Sequence, residues 1–197
     1  MSFTAEDVKN LRDKTGAGMM ACKEALKACN GNVDEAVEYL RKKGVASADK
    51  KTGRSTGDGL VESYIHMGGK LGVLIEVNCE TDFVARTEQF KSLVRELAMQ
   101  VAASNPTVVS RDQVAAEMVE KEKEIYREQV RGAGKPENVV EKIVGGKLDK
   151  FYSEICLLEQ PYIKEPQKNV ETIVKETIAK LGENITVKRF IRYRLGE

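Results

Sequence analysis

Residues 60–79, LVESYIHMGGKLGVLIEVNC, decide how this chain folds. Val61, Ser63, Ile65 and Met67 share one face of an alternating run, and Val73, Ile75, Val77 and Cys79 resume the two-residue period after a break. That period belongs to β-strands. Gly68-Gly69-Lys70 supplies a tight turn, so the stretch predicts an antiparallel hairpin. His66, the single histidine, falls at the strand end beside the turn, where a solvated or locally hydrogen-bonded imidazole is expected. Directly downstream, Asn78 to Arg86 reads NCETDFVAR and sets an acid and an aromatic, Asp82 and Phe83, side by side in a connector. Thr81 suits the N-cap of a helical turn there. Two environments stay open for Phe83: the protein's own core, or projection toward another molecule.

Moving toward the C-terminus, Phe90, Leu93, Val94, Leu97, Ala98 and Val101 form a continuous helical stripe from about Thr87, expected to cover the hairpin. Beyond Asn105-Pro106, Thr107–Ser110 reads as extended. A charged helix follows from about Gln113 to Arg131, with only Val114, Met118 and Ile125 as its apolar stripe. Gly132-Ala-Gly-Lys-Pro136 breaks it. A second helix, about Glu137 to Glu159, carries Val140, Val144, Leu148, Phe151, Ile155 and Leu158 at spacings of three or four, with an interruption at Gly145-Gly146. The pair predicts a helical hairpin over about 113–159. A Pro161-to-Pro166 connector, a helix over Asn169–Leu181 and a strand over Ile185–Leu195 complete the chain, the strand serving as the third of an antiparallel sheet.

Moving toward the N-terminus, the run from Gly44 to Gly59, GVASADKKTGRSTGDG, has no apolar periodicity and reads as a linker. Before it lie three short amphipathic helices. Thr4-Ala-Glu-Asp7 has the form of a cap, and Val8 and Leu11 then share a face. Met19 to Ala28 aligns Cys22, Leu26 and Cys29 and ends at Asn30-Gly31. The third helix, from near Asn32, turns Val33, Ala36, Val37 and Leu40 inward and is expected to stop at Arg41-Lys42-Lys43. The fold class is therefore α+β: an N-terminal three-helix domain (1–44), a linker (45–59), and a core domain (60–197) with a three-stranded antiparallel sheet covered by helices and a helical hairpin.

The 197 residues carry 32 basic and 31 acidic side chains, a net charge of +1, which offers no global attraction to nucleic acid or an anionic membrane. The cationic group Lys42, Lys43, Lys50, Lys51 and Arg54 is explained equally by a solvated linker. The four cysteines show no CxxC pair and no zinc-like spacing with His66, so no metal site or cofactor is expected. Cys22 and Cys29 are too far apart along one helix for an unstrained disulfide. No catalytic constellation is recognisable, and no enzyme is expected. With no apolar secretory segment and no long apolar run, the expected location is cytoplasmic. Met19 and Met20 open a helix in too small a bundle for both to be buried, so at least one is expected at the surface, where methionine makes an adaptable contact.

Two separated motifs carry a family resemblance. Leu11-Arg-Asp-Lys-Thr-Gly-Ala-Gly-Met-Met-Ala-Cys-Lys-Glu-Ala-Leu26 and Glu76-Val-Asn-Cys-Glu-Thr-Asp-Phe-Val-Ala-Arg86, with the closing Phe190-Ile-Arg-Tyr193, resemble the translation elongation factor Ts family across the whole chain. The resemblance implies a guanine-nucleotide exchange factor that binds elongation factor Tu, GDP-bound and nucleotide-free. It implies that the N-terminal domain is similar to a ubiquitin-associated bundle. It implies that Thr81, Asp82, Phe83 and Val84 form a loop inserted beside the partner's magnesium site, and that Arg12, Met19 and Met20 dock on the partner's GTPase domain. Longer members hold two sheet-bearing subdomains and this chain shows one, which implies a homodimer. Two other readings stay open: an adaptor whose N-terminal bundle recognises a protein, and RNA binding by the lysine-rich linker, which the near-neutral composition does not favour.

Overall fold

A computed structural model describes residues 3–131 and 136–197. Eight α-helices and five strands are present among the described residues: α1 (Ala5–Thr15), α2 (Met19–Ala28), α3 (Val33–Asp49), β1 (Asp58–Ile65), β2 (Leu71–Cys79), α4 (Asp82–Ala85), α5 (Glu88–Ser104), α6 (Ala116–Arg131), α7 (Glu137–Ile155), β3 (Pro161–Tyr162), β4 (Glu165–Asn169), α8 (Val170–Leu181) and β5 (Ile185–Arg194). The α+β class holds, and β1, β2 and β5 form a three-stranded antiparallel sheet in the order β1-β2-β5. The chain divides into two compact units. The first comprises Met1–Leu60, Val77–Leu93 and Thr172–Thr186; the second comprises Val61–Glu76, Val94–Glu171 and Val187–Glu197.

In the first unit, Thr4 and Asp7 close a reciprocal capping box at the start of α1, and Gly16, at φ 68°, ends it by donating to the Arg12 carbonyl. Val8, Leu11, Cys22, Ala25, Leu26 and Ala36 form the buried centre of α1–α3, with Val33, Val37 and Leu40 packed around it. The expected stop of the third helix at Lys43 is corrected: α3 runs on through Gly44 to Asp49, so the first residues of the expected linker are helical. The reason is tertiary. A Cβ on Gly44 would lie 3.1 Å from the Ala179 side chain of α8, so glycine is what lets the two helices approach. Ala48 is fully buried, and Arg41–Glu176 (3.3 Å) and Lys175–Asp49 (2.9 Å) tie α3 to α8 on either side.

In the second unit, α6 and α7 pack through Val130, Val140, Val144 and Leu148, flanked by Tyr126, Phe151 and Tyr152. The hairpin is shorter than expected, because residues 111–113 and 157–159 are separate 3₁₀ turns. The expected interruption at Gly145-Gly146 is also corrected: α7 is continuous there, with both glycines on its exposed side. The expected break at Gly132 to Lys135 lies outside the described residues. The Pro161-to-Pro166 connector contains an unforeseen two-stranded pairing, Tyr162 opposite Glu165 and Pro161 opposite Asn169. Its anchor is the buried Gln100, which accepts from the Ile163 amide (2.9 Å) and donates to the Pro161 carbonyl (3.1 Å).

The hairpin read from the sequence is present, turning through Gly68 and Gly69 at φ 90° and 68°. Strand β2 buries Val73, Ile75, Val77 and Cys79 as its alternation requires. Strand β1 buries the other set: Leu60, Glu62 and Tyr64 are partly covered, whereas Val61 and Ile65 face out. His66 is exposed, with Nδ1 3.0 Å from the Tyr64 hydroxyl. All four cysteines are free thiols. Among the described residues no helix is long and apolar enough to cross a membrane, and no cluster of three or more His, Cys, Asp or Glu side chains is placed to hold a metal.

Candidate functional site

Strand β2 ends at Cys79, and the chain makes a single capped helical turn before α5. Thr81 is the N-cap of α4: its hydroxyl oxygen accepts from the Val84 amide at 3.4 Å. Thr87 performs the equivalent service downstream, its hydroxyl donating to the Val84 carbonyl (2.8 Å) and accepting from the Phe90 amide (3.2 Å). Both ends of the four-residue helix are thereby fixed by side chains, which satisfies backbone groups that a helix this short leaves unpaired.

Within that frame the side chains divide. Val84 and Ala85 are buried at 4 % exposure, anchoring the turn. Phe83 is 78 % exposed. Its ring is not part of the protein's own core, so one of the two environments left open by the sequence is excluded. A phenyl group left in water forgoes about 2–3 kcal/mol of burial. Asp82 is also exposed and pairs with Arg86 one turn on, at 2.8 Å; water screens both partners, so the pair is weak and easily exchanged. Thr81 is exposed as well.

The support beneath the turn comes from the connection between α8 and β5, a hundred residues away. Gly182, at φ 83°, ends α8 and delivers Glu183 and Asn184. The Glu183 carboxylate accepts from both the Thr81 amide (3.0 Å) and the Thr81 hydroxyl (2.6 Å). In the reverse direction, Glu80 accepts from the Asn184 amide at 2.6 Å. The buried Asn184 side chain donates to the Arg54 carbonyl (2.9 Å), and the Arg54 guanidinium lies 3.5 Å from Glu80. At Gly59, φ 147°, a Cβ would fall 2.2 Å from the Val77 carbonyl oxygen, so only glycine lets β1 approach the end of β2 this closely. The Cys79 thiol, buried and donating to the Thr81 carbonyl at 3.2 Å, has its pKa pushed up to about 11 by burial and then by the charge of Glu183.

Sequence reading gave no part in this site to the side chains of Arg54, Glu80, Glu183 or Asn184, or to Gly59. A glycine after a helix is a visible stop signal, but nothing in the sequence says that the Glu183 carboxylate and the Asn184 amide behind it meet residues 81 and 80.

The second predicted group lies on the N-terminal helices. Arg12 is exposed in the last turn of α1. Met19 and Met20 open α2 and are both exposed, at 50 % and 76 %. All seven predicted residues belong to the first compact unit.

A family model described as "Elongation factor TS" matches residues 2–197. The chain is 60 % identical over 195 residues to elongation factor Ts of Moorella thermoacetica, an alignment covering 99 % of this chain and 96 % of the relative. It is 56 % identical over 197 residues to elongation factor Ts of Geobacter sulfurreducens, covering 100 % and 91 %. With elongation factor Ts of Desulfosudis oleivorans it shares 55 % identity over 196 residues, covering 100 % and 99 %.

Proposed function

The chain belongs to the elongation factor Ts family, and from that premise we propose that it is the guanine-nucleotide exchange factor for elongation factor Tu in translation elongation. The observation that carries the mechanism is the exposed Phe83 on a turn capped at both ends. A GTPase holds GDP through phosphate contacts and magnesium. A factor that bound the loaded and empty states equally would shift nothing. Phe83 supplies the difference: its ring gains burial only where the partner has opened a gap, and Asp82, beside it, competes there for groups that organise the magnesium. By reciprocity, nucleotide with magnesium weakens factor binding as much as the factor weakens nucleotide binding. The exchange makes and breaks no covalent bond, and the factor itself holds no cofactor or metal.

In this reading residues 1–44 form a docking module of ubiquitin-associated type, in which Arg12, Met19 and Met20 meet the partner's GTPase domain. The segment 45–59 joins it to the core, residues 60–197, which carries the wedge Thr81–Val84. Val84 serves from beneath, as the buried anchor. The protein acts in the cytoplasm, without membrane or direct nucleic-acid contact. A second copy of the chain covers the outer face of the sheet, where Val61, Ile65, Leu74, Ile191 and Tyr193 are all exposed; apolar side chains gathered on one face mark an interaction surface.

The test is release of fluorescent GDP from purified elongation factor Tu. Phe83→Ala is expected to slow release by up to about 30-fold, the loss of some 2 kcal/mol of ring burial, and Asp82→Ala to slow it less, with both proteins melting like the parent because both side chains are exposed. Parental release rates in both variants would remove the wedge.

A further inference from the structure

We infer that Glu183 is the positioning residue of the wedge: by accepting from the Thr81 amide and the Thr81 hydroxyl at once, its carboxylate fixes the N-cap of α4 and thus the direction in which Phe83 projects. The inference rests on the exchange reading above and adds to it a residue that acts through Thr81.

The geometry carries the argument. The Thr81 hydroxyl has one proton and two lone pairs. It gives the proton to Glu183 at 2.6 Å, which leaves the oxygen to accept from the Val84 amide. Glu183 therefore decides which way the hydroxyl points, and the hydroxyl holds the amide of the residue after Phe83. Both bonds to the carboxylate are charge-assisted, and together they constrain the backbone and the side chain of one residue. A second carboxylate works in the opposite sense: Glu80, on the wedge side, accepts from the Asn184 amide on the turn side. Two connections far apart in sequence are thus laced by a reciprocal pair, with Asn184 and Arg54 closing the ring. The arrangement also frees Asp82. Anions are favoured at a helix start, but here the cap is already supplied by Thr81 and Glu183, and Asp82 is left at the surface with only Arg86 to hold it.

The experiment is a double-mutant cycle on GDP release from elongation factor Tu, using the full chain as parent, Phe83→Ala, Glu183→Gln and the double variant. Glu183→Gln keeps the shape but presents one oxygen to two donors. It is expected to lower the maximal release rate about tenfold, with the half-saturating factor concentration unchanged because the docking residues are untouched. Phe83→Ala is expected to cost at least about threefold less in the Glu183→Gln background than in the parent, since a ring that is no longer aimed contributes less. Losses that simply multiply would overturn the inference, because a residue with a merely structural role lowers stability without coupling to Phe83. On the factor alone, the Val84 amide is expected to exchange with deuterium about tenfold faster in Glu183→Gln; unchanged protection would equally overturn it. If Phe83→Ala by itself releases GDP at the parental rate, the exchange reading falls and takes with it Glu183's part in exchange. The amide measurement then still decides whether Glu183 holds the turn.

Discussion

At the scale of single residues, the capped turn α4 shows how far sequence reaches. Thr81 as an N-cap was legible, because a threonine three residues before a buried amide is a local pattern. The exposure of Phe83 was not: whether a ring turns in or out depends on what already fills the space beneath it, and Val84 and Ala85 fill it here. The same locality explains why Glu183 went unread, since its partner is 102 positions away. Titration of the buried thiols gives a prediction at this scale. Burial raises the Cys79 and Cys156 thiols from 9.0 to about 11 in the folded protein. The folded state therefore keeps protons that the unfolded chain releases, and their contribution to stability, complete below about pH 9, is lost as pH rises toward 11. In urea unfolding at a series of pH values, the Cys79→Ala/Cys156→Ala protein is expected to lose less stability between pH 9 and 11 than the parent. Identical slopes would contradict the burial argument.

At the scale of elements, periodicity located every long helix and the strands of the hairpin, although the apolar face written into β1 and the thin stripe Met118 and Ile125 of α6 turn out to be exposed. Ends were less legible. Gly44 and Gly145-Gly146 read as breaks, yet both helices continue, for different reasons. At Gly44 the close pass of Ala179 and the buried Ala48 hold α3 together from outside. At Gly145 and Gly146 nothing approaches within 4 Å, and α7 tolerates the glycines because Val144 and Leu148 on either side are buried against α6. With open space at both positions, Gly145→Ala and Gly146→Ala are each expected to stabilise the protein by about 0.5–1 kcal/mol, measured as a rise in thermal midpoint. A fall would mean that α7 needs its glycines for some contact made only in a complex. The β3–β4 pairing left no readable signal, since Gln100 positions it from another element.

At the scale of the whole molecule, the dimer proposed above rests on the sheet's outer face. Strand β1 places Val61 and Ile65 outward, beside Leu74 of β2 and Ile191 and Tyr193 of β5. In a two-fold dimer the same patch meets itself, so a charge added there faces its own copy. Light scattering is expected to give twice the 21.9 kDa chain mass for the parent and one chain mass for Ile191→Lys/Tyr193→Lys. A parent at one chain mass would end the dimer proposal. The lacing of residues 80 and 81 to residues 183 and 184 has a further implication for the life of the polypeptide. During synthesis the tip is made long before its brace, so a nascent chain exposes the aromatic on an unsupported segment until the last helix has emerged. On the exchange reading proposed above, a growing copy therefore carries its tip without a brace until residues 183 and 184 have been made.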